Sequence, residues 1–518
     1  MILLLQNQSL DEQINEKFSA ATQWFVDAIF AEIPITETVG IPWVLIVLIL
    51  GAGYFTFYYK FINIRAFLTA IKVVRGTYDD LEESGTVSVS DVVSSVDGDN
   101  PDTIRVEGHG DGEVSHFQAL TAAVSATVGL GNIAGVAIAL SIGGAGATFW
   151  MVLVGLLGMS SKFVECTLGV KYREVDANGT VYGGPMYYLK KGLSEKGLAK
   201  LGKVLAVAFA IMCIGGSFGG GNMFQVNQAF KLFEYVTGGD SSFLSGHGWV
   251  FGLIMAIFVG IVIIGGIKKI AKVTDKIVPV MVVVYLLAVL IILGLNFSKI
   301  PDAFAEIWDG AFSPQGIGGG FVGVLIQGFK RAAFSNEAGI GSSSIAHSAV
   351  KTKHPASEGL VALLEPFIDT VLVCTMTALV LIITGQVDTS TEISFEQGVI
   401  LTATALESGI SWFPYVLTVA VILFAFSSMI SWSYYGYQSW SFLFGRGKKT
   451  EYTYKLLFCV FTVIGAAATL TAVVDFSDAM VFSMLVPNMI GLFLLRKKVA
   501  HELSKYQLLI KKTLKRKV

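Results

Sequence analysis

The chain is poor in the residues that build most catalytic centres. Its 518 residues include four cysteines and six histidines, and only 15% are charged. Cys166, Cys213, Cys374 and Cys459 stand singly in apolar stretches with no C-x-x-C spacing, so they read as small core residues rather than a disulfide or metal framework. His109, His116, His247, His347, His354 and His501 are dispersed, mostly in loops or at the ends of apolar runs. No H-E-x-x-H or P-loop pattern occurs, and the glycine-rich stretches, Gly215-Gly-Ser-Phe-Gly219 among them, fall inside apolar runs rather than between a strand and a helix. These absences exclude the common hydrolytic and nucleotide-dependent chemistries; no enzyme and no organic cofactor is expected. A net charge of −2 gives no global field for binding nucleic acid. The opening run Met1 to Leu5 is too short for a signal peptide.

What the chain has is apolar length. Hydrophobic residues make up 53% and glycines number 56, and the mean hydropathy is +0.65. That is the composition of a membrane protein whose helices pack through small residues. Windows of roughly 20 apolar residues predict an all-α polytopic protein with eleven spans near 39–60, 117–142, 147–171, 203–231, 248–267, 277–297, 318–347, 359–384, 412–441, 453–471 and 474–496. Phe18 to Ile33 is short and amphipathic and is expected to lie along the membrane surface. Every second loop is basic: Lys and Arg cluster after the first, third, fifth, seventh, ninth and eleventh spans, whereas 232–247 and 385–411 contain neither. By the positive-inside rule the N-terminus is expected outside the cell (inner) membrane and the C-terminus in the cytoplasm.

Two of these spans are interrupted by glycine and polar residues. The first breaks at Thr127-Val128-Gly129-Leu130-Gly131-Asn132, and the second at Phe334 to Gly341. Lipid cannot satisfy an unwound backbone, so such breaks survive only where they line a cavity. With the first span set aside, ten remain as five plus five, 117–297 and 318–496, each opening with its broken member and oppositely oriented. This is the inverted-repeat arrangement of the leucine-transporter type, read from spacing and charge. Residues 1–38 then form an N-terminal segment, 39–60 a peripheral first span, 61–116 a cytoplasmic loop with an acidic insert between Gly76 and Glu113, 298–317 an extracellular loop and 497–518 a basic tail.

The half-helix ending near Thr127 points carbonyls into the cavity, which suits Na⁺, and the one starting near Gly131 presents free N–H groups, which suit a carboxylate. Gly129 and Gly131 allow close backbone approach by a ligand, although glycines can equally serve helix packing. In the second break Ser335 and Asn336 supply polar groups, carbonyls around Phe334 can accept a substrate ammonium, and the Phe334 ring can cover the site. Glu337 is either a functional carboxylate or, by preference, the partner of Lys330 or Arg331, since an unpaired buried charge is expensive. Lys162 and Glu165, one turn apart, read as an ion pair or gate. Asp369 and Glu365 stay open between pairing with Arg331 and lining the transport path. In the fourth span Asn222, Gln225 and Asn227 face a polar interior, and spacing does not choose among them.

Longer motifs carry a family resemblance. Residues 116–137 (HFQALTAAVSATVGLGNIAGVA), 143–151 (GGAGATFWM), 183–188 (GGPMYY), 334–347 (FSNEAGIGSSSIAH), 367–379 (FIDTVLVCTMTAL) and 487–492 (PNMIGL) resemble the sodium:alanine (alanine or glycine:cation) symporter family. The resemblance runs from about Val39 to the last span. It departs from the family at Leu130, where the family usually has Thr, and in the longer acidic insert. It implies Na⁺-coupled symport of alanine or glycine by alternating access, with Na⁺ as coupling ion, and it implies that Gln225 reaches the substrate. The expected substrate set is Gly129, Leu130, Gly131, Asn132, Gln225, Phe334, Ser335 and Asn336. In leucine-transporter-type folds hydroxyls of the ninth span join carbonyls of the first break around Na⁺, which implies Ser427 and Ser428 with backbone oxygens near Thr127 and Leu130. Such hard oxygen ligands suit a monovalent cation. A Na⁺-independent facilitator or channel, or a membrane sensor of amino acids, are the readings of different class.

Overall fold

The computed structural model describes residues 9–34, 40–79, 115–175, 181–264, 267–312, 320–386 and 398–516. Most of the acidic insert, residues 80–113, and the tip of the 385–411 loop lie outside these, as do the side chains of 267–279 with their lysines.

Helices or broken helices stand at all eleven apolar windows. An N-terminal helix α1 (Leu10–Ile29) precedes α2 (Trp43–Tyr58), and a short α3 (Phe67–Val74) follows within the segment read as a loop. The first broken helix is α4 (His116–Thr127) plus α5 (Gly131–Gly143), bent by 54°. Then come α6 (Ala147–Tyr172), α7 (Pro185–Ser194), α8 (Ala199–Val236), α9 (Gly248–Ile264) and α10 (Ile267–Leu295). The segment 298–317, expected as a loop, contains a further helix, α11 (Ile300–Phe312), turned 80° from α10. The second broken helix is α12 (Gly320–Asn336) plus the single-turn α13 (Ser343–His347). It leads to α14 (Pro355–Ile383), α15 (Val399–Glu407), α16 (Phe413–Phe444), α17 (Lys448–Ala467) and α18 (Leu470–Arg516), which carries the expected basic tail as a continuous helix. By length and composition five of the described helices can cross a membrane, or seven if each bent pair is one span.

One continuous apolar core runs through these helices. The outer face of α9 leaves Leu253, Ile257, Phe258 and Ile261 exposed, and that of α10 leaves Val283, Leu287 and Leu290 exposed. Apolar faces of that extent carry no penalty where the hydrocarbon of a bilayer covers them. The chain is a multi-pass membrane protein.

A helix forms in the segment expected to lie along the surface, beginning earlier than Phe18 and ending at Ile29. Its start is fixed by a capping box, the Ser9 hydroxyl accepting from Glu12 N–H and the Glu12 carboxylate accepting from Ser9 N–H. It braces two other helices at their N-terminal ends, where N–H groups are unsatisfied. Asp11 accepts from Gly248 N–H (2.7 Å) and Trp249 N–H (3.3 Å) of α9, and Asn15 accepts from Thr469 N–H (3.0 Å) at the start of α18.

Candidate functional site

The first break is built by its own side chains. A capping box of Ser115 and Gln118 starts α4. Near its end the Thr127 hydroxyl donates back to Ala123 O (3.2 Å), and Val128 is extended. Gly129 N–H, which would close the next helical turn on Ser125, instead donates to Asn132 Oδ1 (2.8 Å). Beyond it, Gly131–Gly135 is π-helical, and Thr402 donates to the Ile133 carbonyl in that stretch (3.2 Å). Leu130 is fully buried.

The second break turns on backbone geometry. Glu337 has φ +56°, a left-handed conformation unusual for a non-glycine residue, followed by Gly339 at +88° and Gly341 at +97°. The Asn336 side chain closes the helix end, accepting from Ala338 N–H (2.9 Å) and donating to Thr370 (2.9 Å). Asn488 of α18 donates to the freed Gly339 carbonyl (2.8 Å) and to Glu165 (3.0 Å).

The two breaks meet. A Cβ on Gly131 would lie 3.4 Å from Ser335 Cα and Oγ. Asp369, in a second π-helical stretch (Phe367–Cys374), ties them together. It accepts from Asn132 Nδ2 (2.7 Å) and from Ser335 Oγ (2.8 Å). Asn132 also lies 3.3 Å from Cys374 Sγ, so a cysteine read as mere packing borders the joint. Asn132 and Asn336, expected as substrate ligands, therefore use both ends of their amides to brace the unwound chain. Asp369 is correspondingly not the partner of Arg331.

The fourth window supplies the third wall. Within α8, Gly219–Met223 is π-helical, and its glycines admit neighbours: Gly220 faces the Phe334 ring (3.2 Å from a Cβ), and Gly221 leaves room for Trp432 of α16. Asn222 bonds Phe458 O (2.7 Å) and Thr462, and Asn227 bonds Gly465 O and Ala468 O, so both are structural. Gln225 donates to Gly220 O (3.0 Å), but its carbonyl oxygen is buried without a partner. The Ser428 hydroxyl of α16 is likewise buried and unpartnered. Both point to one place, since a Cβ on Gly129 would lie 2.7 Å from Ser428 Oγ and 3.8 Å from Gln225 Oε1. Beside it Ser427 pairs with Ser125 (3.1 Å), a hydroxyl that sequence reading passed over although it sits one turn before Gly129. Phe334 packs edge-on against Phe224 (5.1 Å). Two buried polar atoms without partners, at a broken helix, are a place for a small polar ligand.

The charges pair differently from the sequence expectation. Arg331 pairs with Asp478 of α18, and Lys330 reaches the same carboxylate oxygen (3.1 Å), so neither serves Glu337. Glu337 instead accepts from the Ser342 hydroxyl. Lys162 pairs with Glu365 (3.1 Å) and bonds Ser343, while Glu165 goes to Asn488. From Glu365 the buried chain continues to His347 (3.5 Å), Glu358 (2.5 Å from His347) and His116 at the start of α4. Each pairing joins different helices, because side chains on one face of a buried helix meet the neighbouring helix before each other. His116, Glu358 and Asp478 carried no local signal that would have revealed them.

A polytopic helix bundle whose two interrupted helices meet around unpartnered polar atoms defines a secondary transporter. The chain matches the sodium:alanine symporter family over residues 101–518 and belongs to that family. It is 42% identical over 393 residues to the sodium/alanine symporter AgcS of Methanococcus maripaludis, covering 76% of this chain and 84% of that protein. It is 34% identical over 466 residues to a protein of Bacillus subtilis described as a probable sodium/glutamine symporter, GlnT, covering 89% of this chain and 87% of the relative. The crystal structure of MhsT in complex with L-phenylalanine shares the fold, with a TM-score of 0.54 and 18% identity over 74% of this chain and 91% of MhsT. The protein is a secondary amino-acid transporter and not an enzyme.

Proposed function

We propose Na⁺-coupled symport of a small neutral amino acid, alanine or glycine, into the cell. The observation that carries this reading is the convergence of the unpartnered Ser428 hydroxyl and Gln225 carbonyl on Gly129, at a broken helix. Na⁺ takes hydroxyl oxygens of Ser427 and Ser428, with Ser125 beside them and backbone oxygens near Thr127 and Leu130. The substrate carboxylate lies at the N–H groups that begin α5, from Gly131 on. Its ammonium is held by the Gln225 oxygen and carbonyls around Phe334, whose ring covers the site. The neighbouring name, a sodium/alanine symporter at 42% identity, agrees with this assignment. In this reading all eleven windows cross the cell (inner) membrane, the last ten as two inverted sets of five, with the N-terminus outside and the C-terminus cytoplasmic. Alternating access then reorients the two halves about the joint at Asp369.

Purified protein in liposomes tests the reading. Radiolabelled alanine should accumulate against its gradient under an inward Na⁺ gradient, and accumulation should vanish when choline replaces Na⁺. Equilibration indifferent to Na⁺ would indicate a facilitator, and binding without flux a sensor; either result refutes symport. Ser428→Ala removes a ligand to a charge worth about 1.5 kcal/mol, so the Na⁺ concentration for half-maximal uptake should rise roughly tenfold. Unaltered Na⁺ activation would remove Ser428 from the cation site. The α8 amides should separate: Gln225→Ala raises KM for alanine. Asn222→Ala removes the bonds to the Thr462 hydroxyl and the Phe458 carbonyl, which keep their bond to each other, so it lowers unfolding stability by about 1 kcal/mol, read as a lower melting temperature, and leaves KM in place.

A further inference from the structure

The chain between α2 and the acidic insert takes no part in the Gly129 site, yet its fold is specific. α2 ends at two consecutive left-handed residues, Lys60 and Phe61, both at φ +56°. Such a pair cannot continue a right-handed helix, so the chain leaves the axis of α2 there. It resumes as one helical turn, Ile62–Arg65, and then as α3. Bonds from Ala66 N–H to Ile62 O (2.9 Å) and from Ala70 N–H to Ala66 O (2.8 Å) keep the two in one helical register.

One face of this helix is buried, at Ile62, Asn63, Ala66, Ala70 and Val73. Asn63 donates to Leu156 O of α6 (2.8 Å), and Phe67 packs edge-on against Phe367 (4.9 Å), where the π-helical stretch holding Asp369 begins. α3 also packs on the first turns of α14 and on α4. The opposite face mixes apolar and basic residues. Phe61, Ile64 and Leu68 recur at helical spacing, the last two 70% exposed, and the exposed Arg65, Lys72 and Arg75 stand beside them. Lys60 is exposed at the turn. No Asp or Glu occurs from Thr38 to Tyr78, and none of the four cations forms an ion pair among the described residues.

Water suits the cations and hydrocarbon suits the apolar side chains. The phosphate level of a bilayer satisfies both, because apolar side chains enter the acyl region while long basic stems reach the headgroups. The surface also continues the lipid-facing side of α2: Phe57, exposed there with Leu50, meets the Phe61 ring edge-on (5.2 Å). We propose that residues 60–75 bind anionic phospholipid headgroups, which hold α3 in the bilayer surface and against α14 and α4. A basic amphipathic helix directly after a span is where such lipids are drawn. The proposal rests on α2 crossing the membrane, as the transport reading has it.

The test titrates phosphatidylglycerol into the purified protein held in micelles of neutral detergent and phosphatidylcholine, and reads the melting temperature. Phosphatidylglycerol should raise it by a few degrees, and high salt should shrink the rise. In the variant Lys60→Gln, Arg65→Gln, Lys72→Gln, Arg75→Gln the phosphatidylglycerol needed for half the rise should increase at least about tenfold. Lys60→Arg with Lys72→Arg, which keeps the charges, should respond as the parent does. If the fourfold variant does not fold, Lys72→Gln with Arg75→Gln carries the test. The control removes four exposed lysines elsewhere, at Lys190, Lys196, Lys200 and Lys203, and should shift the titration far less. Equal shifts in the control and the α3 variant would mean a general charge effect and overturn the surface. No response in the parent leaves the face to a protein partner and also overturns it. Melting needs no transport, so a failure of Na⁺-driven alanine uptake would refute symport and leave the lipid surface standing.

Discussion

Gly129→Val is expected to lower amino-acid uptake by at least two orders of magnitude, a barrier increase of about 2.7 kcal/mol, while the purified protein melts within a few degrees of the parent. A Cβ at this position would approach Ser428 Oγ to 2.7 Å, closer than real Cβ contacts come, and the valine methyls would extend toward Gln225 Oε1, 3.8 Å from that Cβ. Both oxygens are the unpartnered ones, so the intruding methyls fill the volume where a ligand would complete them. Folding is spared for a different reason. Gly129 is not among the residues with positive φ, so a side chain there meets no backbone strain. Uptake measured alongside thermal melting separates the two effects. Transport above a tenth of the parent rate would mean that ligands bind elsewhere, and the site would have to be redrawn.

Lys162→Ala should have the largest effect on stability. Lys162 is fully buried, pairs with Glu365 at 3.1 Å and donates to Ser343, the first residue of α13. It is the lysine of a buried chain that also holds Glu365, His347, Glu358 and His116. Removing one member of a buried pair leaves the other charge uncompensated, at a cost of about 3–5 kcal/mol, which in a protein of this size lowers the melting temperature by roughly 3–5 °C. Replacing both members by apolar residues, Lys162→Met with Glu365→Leu, should recover most of the loss, because the desolvation of two ions disappears with them. A single variant as stable as the parent would show that Glu365 is satisfied without Lys162. The pair also joins α6 to α13, just beyond the second break, and to α14, so the double variant, though stable, should transport slowly.

Much of the site could be read from the chain because glycine and polar residues stand out inside apolar runs. Both breaks were visible for that reason, and they do meet, at Gly131 and Ser335; Gln225, Ser427 and Ser428 were singled out only by the resemblance, since spacing did not choose Gln225 over its neighbouring amides. The roles of the amides were not visible. Asn132 and Asn336 looked like ligands, and only the folded chain reveals that each braces the unwound backbone beside it. Charge partners were hidden by distance: Arg331 and Asp478 are 147 residues apart, Lys162 and Glu365 203, and His116 and Glu358 242. Which helices touch decides such pairs, and periodicity within one helix does not encode it. The proximity of Lys162 to Glu165 in sequence misled for the same reason. Leu130, the departure from the family pattern, proves fully buried at the break.

The three π-helical stretches, Gly131–Gly135, Gly219–Met223 and Phe367–Cys374, border one site from three directions. A π turn holds more residues than an α turn, so every side chain beyond it is displaced around the helix axis. Loss of a single residue from Gly219–Met223 would relax the stretch to α-helix and swing Gln225 by about 100°, carrying its carbonyl away from Gly129. The same deletion at Gly131–Gly135 or Phe367–Cys374 would part the two breaks at Asp369. At this site, spacing is a constraint separate from residue identity: point changes can be absorbed one contact at a time, whereas a one-codon deletion undoes the alignment of a whole helix.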